Sequence, residues 1–177
     1  MIRGARGTDQ IEGGRGDDRL YGGGGQDWLR GGRGDDRLEG GGGTRDRLEG
    51  GSGADLLLGG LGNDSLYGEV GNDVLWGEEG DDLLSGGAGR DRLVGGLGDD
   101  TLTGGERRDV FVFVTGGDWQ GEDRITDFEL GFDRLALRGT DTSATVSHEG
   151  ADTVIEYDGG AIRLLDVLWP EEGVLTL

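Results

Sequence analysis

The chain has 177 residues, 43 of them glycine, and 37 acidic side chains against 17 basic ones give it a net charge of −20. This charge argues against a nucleic-acid-binding protein, and the absence of cysteine excludes disulfides and thiolate metal sites. Low apolar content with high net charge is ordinarily a sign of disorder, so folding must depend on more than a hydrophobic core. No apolar run is long enough to predict a membrane span, and the sequence begins without the apolar stretch of a signal peptide.

An aspartate recurs every nine residues from Gly4 to Val112, with a single ten-residue step between Asp36 and Asp46. The unit is Gly-Gly-x-Gly-x-Asp-x-apolar-x, as in the segment from Gly13 to Tyr21. The twelve aspartates are Asp9, Asp18, Asp27, Asp36, Asp46, Asp55, Asp64, Asp73, Asp82, Asp91, Asp100 and Asp109. The residue two positions after each aspartate is always apolar, giving Ile11, Leu20, Leu29, Leu38, Leu48, Leu57, Leu66, Leu75, Leu84, Leu93, Leu102 and Phe111.

A helix is excluded for this unit, because each interior glycine costs about 0.5–1 kcal/mol relative to alanine. The three residues x-apolar-x suit a short strand that points one side chain inward and two outward. Gly-Gly-x-Gly-x-Asp must then form the turn, where glycine supplies positive φ angles. Two repeats close one circuit of 18 residues, so the twelve repeats predict an all-β parallel solenoid of six circuits.

Stacked circuits place the aspartates in two columns, with neighbours in a column about 4.8 Å apart. Two unit charges at that spacing repel by about 1 kcal/mol in water and about 3–4 kcal/mol at an effective dielectric of 20. A divalent cation between successive turns removes this repulsion if each carboxylate gives one oxygen to the ion above and one to the ion below. Turn carbonyls complete an all-oxygen shell, which on a flexible frame suits Ca²⁺ better than Mg²⁺.

The nonapeptide resembles the calcium-binding repeat of the RTX (repeats-in-toxin) family. The resemblance implies a right-handed parallel β-roll, calcium in its turns and export by the type I secretion machinery. It assigns the metal role to the twelve aspartates named above and implies further ligands among the turn carbonyls. It also implies a secreted, extracellular protein, because the export signal of the family lies at the C-terminus.

Several repeats depart from the pattern. Ala5 replaces the second glycine of repeat one, which we expect to fray, and Glu69 and Glu78 replace it in repeats eight and nine. Repeat five has one extra residue before Asp46, and Arg107 replaces a turn glycine in repeat twelve. We expect the insertion to distort the two neighbouring ion sites and Arg107 to mark the end of the repeats. Five gaps in each column allow ten calcium ions at most, and discounting these two sites and one at each end leaves six, so we expect about six to ten.

Residues 113–177 are predicted to form a β-rich cap with an export signal, after a repeat region of residues 1–112. An apolar run at 110–114 is followed by alternating segments at 123–128, 131–137, 144–148, 153–157 and 161–167. A solenoid needs a cap to shield its last open rung, and this segment follows that rung. The segment also resembles the C-terminal flank of RTX proteases, lipases and epimerase modules, and its acidic and then apolar ending, 171–177, is compatible with a type I export signal.

No catalytic constellation is recognisable in the sequence. His148 is the sole histidine, so a zinc protease site with two histidines on one helix is excluded, and Ser143 and Ser147 lack a nucleophile elbow. Carboxylate pairs such as Asp17 and Asp18 could suggest glycoside hydrolysis, but their place in the repeat explains them better. We therefore predict a binding module and not an enzyme.

Three aromatic residues, Trp28, Tyr67 and Trp76, are predicted to point outward. They could form a surface for sugars or a partner, although packing on the cap, on a neighbouring chain or on the sheet face is the commoner role of such residues. A flat adhesive face, for ice or another surface, is disfavoured because only Thr101 and Thr103 form the outward threonine ranks it requires.

Two hypotheses for function follow. The first is a secreted calcium-binding β-roll that stays unfolded in the low-calcium cytosol and folds on binding Ca²⁺ outside the cell. The alternative is the C-terminal export and folding module of a larger type I-secreted exoenzyme, such as a protease, a lipase or a polysaccharide epimerase.

Overall fold

Short parallel strands wound into a coil of two facing sheets form most of the molecule. The computed structural model describes residues 1–115, 121–139, 143–157, 160–167 and 173–176. The strands up to the end of the repeats are β1 Ile2–Arg3, β2 Gln10–Arg15, β3 Arg19–Gly25, β4 Trp28–Arg33, β5 Arg37–Gly43, β6 Arg47–Ser52, β7 Leu56–Leu61, β8 Ser65–Val70, β9 Val74–Glu79, β10 Leu83–Ala88, β11 Arg92–Leu97, β12 Thr101–Glu106 and β13 Val110–Thr115. Odd-numbered strands form one sheet and even-numbered strands the other, so the chain crosses between the sheets at every turn.

Each strand pairs in parallel with the strand two positions later. Partners in the regular repeats are 18 residues apart, as for Leu66 with Leu84 and Leu75 with Leu93. This register confirms the prediction that two nonapeptides make one circuit. The all-β parallel solenoid of about six circuits is confirmed, and the described residues contain no helix.

The strands are longer than the sequence predicted. A typical one, β8, covers six residues rather than three, because pairing resumes within the next repeat. Gly68 is skipped in the register, and the two residues after it pair again with β10. The chain therefore bends at the first glycine of each repeat, and the turn between strands shrinks to about three residues.

A column of apolar side chains from each sheet fills the interior. The twelve predicted inward residues are all buried, with Ile11 exposed by 7% at the open end and the other eleven by 0%. Burial of one leucine side chain stabilises the fold by about 1.5–3 kcal/mol. The column continues past the repeats, where Phe128 packs against Phe111 with their ring centroids 6.0 Å apart.

The later strands extend both sheets. They are β14 Gly121–Ile125, β15 Arg134–Gly139, β16 Ser143–Glu149, β17 Asp152–Tyr157, β18 Gly160–Leu164 and β19 Gly173–Thr176. The first two continue the parallel pairing, β14 beside β12 and β15 beside β13. β18 pairs with β14 in parallel, and β17, β16 and β19 then add antiparallel strands.

Each of the five segments predicted after residue 114 overlaps one of these strands. The division into regions at residue 112 stays a prediction, because parallel pairing runs on from β13 to β15. Of the predicted export signal, Glu171, Glu172 and Leu177 lie outside the described residues.

Candidate metal centre

The aspartate of each repeat ends a turn and points its side chain into the solenoid. In the ten repeats from Asp27 to Asp109 the aspartate is between 0% and 4% exposed, and Asp9 and Asp18 at the open end are half-buried. Alternate aspartates lie on the same side of the coil, which gives the two columns predicted from the sequence. Buried acidic side chains without basic partners are rare in proteins, so these columns need a specific explanation.

In the ten repeats from Asp27 to Asp109, one carboxylate oxygen of the aspartate accepts a hydrogen bond from the protein itself. The backbone N–H of Asp64 donates to Oδ1 of Asp82 at 2.7 Å, and that of Asp55 donates to Oδ1 of Asp73 at 2.8 Å. The same bond joins every consecutive pair in both columns, at 2.6–2.8 Å within the repeats. Oδ1 therefore ties each circuit to the preceding one, a role that the sequence did not predict.

The second carboxylate oxygen has no hydrogen-bond partner. This holds for ten buried Oδ2 atoms, those of Asp27, Asp36, Asp46, Asp55, Asp64, Asp73, Asp82, Asp91, Asp100 and Asp109. An unpaired buried acceptor costs about 1–3 kcal/mol, and more when it is charged. The protein therefore presents two regular rows of oxygen atoms that lack a positive partner.

These oxygens fit a hard divalent cation. Among the described residues, no three acidic, histidine or cysteine side chains converge closely enough to hold an ion by themselves. Side chains can thus supply only part of a shell, and backbone carbonyls of the turns must supply the rest. A mixed set of carboxylate and carbonyl oxygens is the donor set that Ca²⁺ takes in proteins.

Burial changes the acidity of the columns. It raises the pKa of Asp64, Asp73 and Asp82 to about 7 and that of Asp55 to about 6. The hydrogen bond from the preceding aspartate lowers each pKa, and the charge of neighbouring carboxylates raises it again. Without a cation, protons therefore compete for these oxygens near neutral pH.

The first glycine of each repeat leaves room for the carboxylate. At Gly68, a Cβ atom would lie 2.5 Å from Oδ2 of Asp73 and 2.6 Å from the carbonyl oxygen of Gly86. Real Cβ atoms do not approach other atoms this closely, so no larger residue fits without displacing the acid. The glycine thus lets the aspartate turn inward.

A second, exposed row of side chains lies at the tips of the turns, at the position before each aspartate. Oδ1 of Asp35 accepts from the N–H of Ala54 at 2.7 Å, and Oδ1 of Asp81 accepts from the N–H of Asp99 at 3.1 Å. These bonds run to the following circuit, whereas those of the buried columns run to the preceding one. In a carboxylate pair such as Asp81 and Asp82, the first carboxylate therefore bonds to the following circuit and the second to the preceding one.

The insertion in repeat five leaves the column intact. Oδ1 of Asp46 accepts from the N–H of Asp27 at 2.8 Å, and its own N–H donates to Asp64 at 2.6 Å, as in the regular repeats. The extra residue is accommodated around Gly43 and Thr44, before the aspartate. We expected distorted ion sites here, but the carboxylate keeps its place because the bulge is confined to the turn.

The sequence analysis missed two further aspartates of the columns. Oδ1 of Asp123 accepts from the N–H of Asp100, and Oδ1 of Asp133 accepts from the N–H of Asp109, both at 3.0 Å. Each column therefore gains one further aspartate beyond the repeats. Both residues start an Asp-x-apolar triplet, but steps of 23 and 24 residues hid them from a nine-residue search.

Asp127 also contributes to this end of the repeats. Its carboxylate accepts from the N–H groups of Gly104 and Gly105, at 2.9 Å and 2.8 Å. It thereby covers the backbone of the last Gly-Gly pair, next to Arg107, which has a positive φ of 85°.

The outward aromatic residues have different surroundings. Trp28 is 42% exposed, Trp76 is half-buried on the other sheet, and Tyr67 lies under the guanidinium of Arg47 at 4.5 Å.

His148 lies in β16, as predicted. No described helix is long and apolar enough to span a membrane.

The comparison with protein families agrees with this geometry. The sequence profile of the RTX calcium-binding nonapeptide repeat matches residues 3–38, 40–75 and 76–111. Among solved structures, an extracellular lipase of Serratia marcescens is 20% identical, with 86% of this chain and 37% of the lipase covered and a TM-score of 0.44. A subunit of the mannuronan C5-epimerase of Azotobacter vinelandii is 32% identical, with 68% of this chain and 70% of that subunit covered and a TM-score of 0.31.

The chain thus spans little more than a third of the length of the lipase. No curated protein sequence matches it significantly.

Proposed function

The chain belongs to the RTX calcium-binding nonapeptide repeat family, and on this premise we propose that it is a secreted module whose β-roll folds on binding Ca²⁺ outside the cell. Its repeats form a structural calcium-binding β-roll. Export by the type I machinery, extracellular folding and the lack of any catalytic role belong to the proposal.

The two rows of unpaired Oδ2 atoms carry this proposal. We assign the metal role to the twelve aspartates predicted from the sequence, from Asp9 to Asp109, and extend it to Asp123 and Asp133. From Asp27 onward one oxygen of each of these carboxylates is bonded to the preceding circuit, so the other oxygen and turn carbonyls remain for the ion. About six to ten ions stay our prediction for the repeats.

Folding and binding are linked because the unfolded chain has no preformed site. Ions that bind only the folded circuits stabilise them by an amount that grows with ion concentration. From Asp27 onward each aspartate of the repeats is bonded to the circuit before it, so an ion that fixes one circuit also orders its neighbour, and folding should be cooperative along the coil. Low calcium inside the cell would keep the chain unfolded for export, and higher calcium outside would fold it.

The test is circular dichroism during a calcium titration from excess chelator, with calorimetry for the ion count. We expect a largely disordered spectrum in chelator with a residual β signal from β16–β18, a cooperative gain of β signal on adding calcium, and Mg²⁺ to be much less effective at equal concentration. A β-rich spectrum in chelator that calcium does not change contradicts the proposal. Export is tested separately, by co-expression with a type I secretion system and recovery of the chain from the medium.

A second candidate is the export and folding module of a larger exoenzyme. The observation in its favour is the open N-terminal rung, where β2 is the edge strand of its sheet while β16–β19 extend the other end. A preceding domain could cover this edge. An in-frame coding sequence for a catalytic domain upstream of Met1 would establish this candidate, and an in-frame stop codon there would exclude it.

A further inference from the structure

A shallow groove crosses the outer face of the even-numbered sheet near its N-terminal end. It has a volume of about 550 Å³. Its floor is formed by Gly14, Gly32 and Gly51, which lie in register on β2, β4 and β6. Because these residues have no side chains, the floor is bare backbone about 10 Å long, two strand spacings.

Arginines stand on both sides of this floor. Arg15 and Arg33 are paired in register on adjacent strands, so their backbones are about 4.8 Å apart. Arg30 precedes the floor on β4 and is also exposed. Neither Arg15 nor Arg33 forms an ion pair with a described residue.

Arg30 has two acidic neighbours, and it forms a close ion pair with neither: Glu12 lies opposite it in register on β2 without an ion pair, and Glu49 lies on β6. Arg30 lies 3.7 Å from Glu49, but Arg47 holds the same glutamate at 2.7 Å. Three guanidinium groups are therefore available around one strip of backbone.

Charge is unevenly distributed along the solenoid. Residues 1–47 contain nine arginines and nine acidic residues, and five of those acids belong to the buried columns. Residues 48–89 contain nine acidic residues and no arginine. Once cations neutralise the columns, the exterior of the first circuits is basic, and the groove ends at Glu69, where the acidic part begins.

We propose that this groove binds an anionic polysaccharide through carboxylates on neighbouring sugar rings. A guanidinium holds a carboxylate with two parallel hydrogen bonds, and the strand spacing of Arg15 and Arg33 is close to the length of one sugar ring. The bare floor admits a flat ring. Trp28 projects from the same face of β4, about 7 Å from Arg30, and can stack on a ring beyond the groove.

Nucleic acid fits this surface less well. Proteins that bind it electrostatically are basic overall and make many phosphate contacts, whereas this chain has a net charge of −20. A long phosphate backbone would also run from the arginines onto Glu69 and the acidic circuits that follow. A short run of acidic sugars needs only the three arginines.

The proposal rests on the proposed function, because the groove exists only when the circuits are stacked. The test measures binding of a labelled galacturonic acid tetrasaccharide to the full chain in excess calcium. The variant Arg15→Gln/Arg33→Gln is compared with Arg19→Gln/Arg37→Gln, which removes the same charge from a pair in register on the opposite sheet. Circular dichroism in the same buffer shows whether each protein is folded.

We expect the groove variant to bind about tenfold more weakly, because two charge-assisted contacts are lost, and the opposite-face variant to bind like the wild type. A neutral tetrasaccharide should not bind. If the double variant does not fold, Arg33→Gln alone should give a smaller loss of the same kind.

Three results would overturn the proposal that the groove binds an anionic polysaccharide. They are no binding by the folded wild type, an equal loss in the opposite-face variant, and tighter binding of a thymidine tetranucleotide through the same arginines. A wild-type chain that fails to fold in calcium instead contradicts the proposed function itself.

Discussion

The repeat circuits and the antiparallel strands that follow them bury polar groups in different ways. Each circuit contains buried aspartates with one oxygen unpaired, next to buried leucines. In β16–β18 the buried side chains are mainly apolar, such as Val146, Ile155 and Ile162, and the buried Thr153 donates to the carbonyl of Val167 at 2.6 Å. On the proposed function the circuits need an added cation, whereas these strands contain the partners for their own core.

The circuits contain few buried apolar side chains for their length. The repeats gain apolar burial from one inward residue in nine, which is too little to fold a glycine-rich chain whose backbone is costly to order. Conditions that change the charge of the aspartates should therefore act strongly on the circuits and weakly on β16–β18.

The largest expected effect is that of pH, because it acts on many carboxyls at once. Burial raises the pKa of Asp64, Asp73, Asp82 and Asp109 from 3.8 to about 7. Between these values the calcium-free folded circuits keep protons that the unfolded chain has released, so their stability falls as pH rises from 4 to 7. With calcium bound the sign reverses, because protons compete with the ion for the same oxygens.

Thermal unfolding followed by circular dichroism at several pH values, in chelator and in calcium, checks both signs. Stability in chelator that increases from pH 4 to pH 7 would show that the carboxyls are not buried as described.

The next largest effect on stability is expected from replacing a single aspartate of the buried columns. Asp64→Asn in calcium should destabilise the fold by about 3–5 kcal/mol, since it removes a charge from a buried ionic site. In chelator the same change should favour the folded state, because one buried carboxylate is gone. Asp81→Asn is the matched control: Asp81 is an exposed neighbour on the turn tip, and asparagine keeps its acceptor for the N–H of Asp99.

Denaturant unfolding in calcium gives the sign of the first effect, and the β signal that remains in chelator, measured by circular dichroism, gives the sign of the second. Equal effects of Asp64→Asn and Asp81→Asn would remove the distinction between the buried columns and the exposed row.

A core substitution compares the two regions directly. Leu75→Ala and Ile155→Ala each truncate a side chain that is 0% exposed, and each should cost about 2–5 kcal/mol in calcium. In chelator the cost of Leu75→Ala should disappear, because its circuit is already unfolded, while that of Ile155→Ala should persist. Unfolding monitored by tyrosine and tryptophan fluorescence measures both, and a persistent cost at Leu75 in chelator would mean that apolar burial alone folds the circuits.

The smallest effect concerns backbone strain. Glu78 has a positive φ of 79° at a position where most repeats have glycine, and Glu78→Gly should stabilise the fold by about 1 kcal/mol. Glu79→Gln on the neighbouring residue removes the same charge without changing the backbone. Similar gains from the two variants in thermal unfolding would assign the effect to charge and not to conformation.

The sequence predicted the parts that repeat and missed those that do not. The positions of Leu75 and Asp73 follow from strand alternation and the nine-residue period, so both were correctly placed. The length of β8 was underestimated, because the start of the next repeat was taken as a turn, whereas Glu69 and Val70 pair again with β10. Asp123 and Asp133 were missed because only stacking in three dimensions aligns them with Asp100 and Asp109.

The arginine groove could not be found from the sequence either. Its walls come from residues 15, 30 and 33, and only the 18-residue register brings the first and the last side by side. The net charge of −20 concealed it, since five of the nine acidic residues among residues 1–47 lie in the aspartate columns, where three are buried and two are half-buried.

Hydrogen exchange by mass spectrometry tests the central claim most directly, because it resolves the two regions in one sample. In calcium, we predict strong protection of peptides from both the circuits, residues 65–97, and the antiparallel strands, residues 143–157. In chelator, protection of the circuits should be lost while that of the antiparallel strands falls much less. Equal protection of residues 65–97 with and without calcium would contradict the claim that a divalent cation holds the buried aspartates in place.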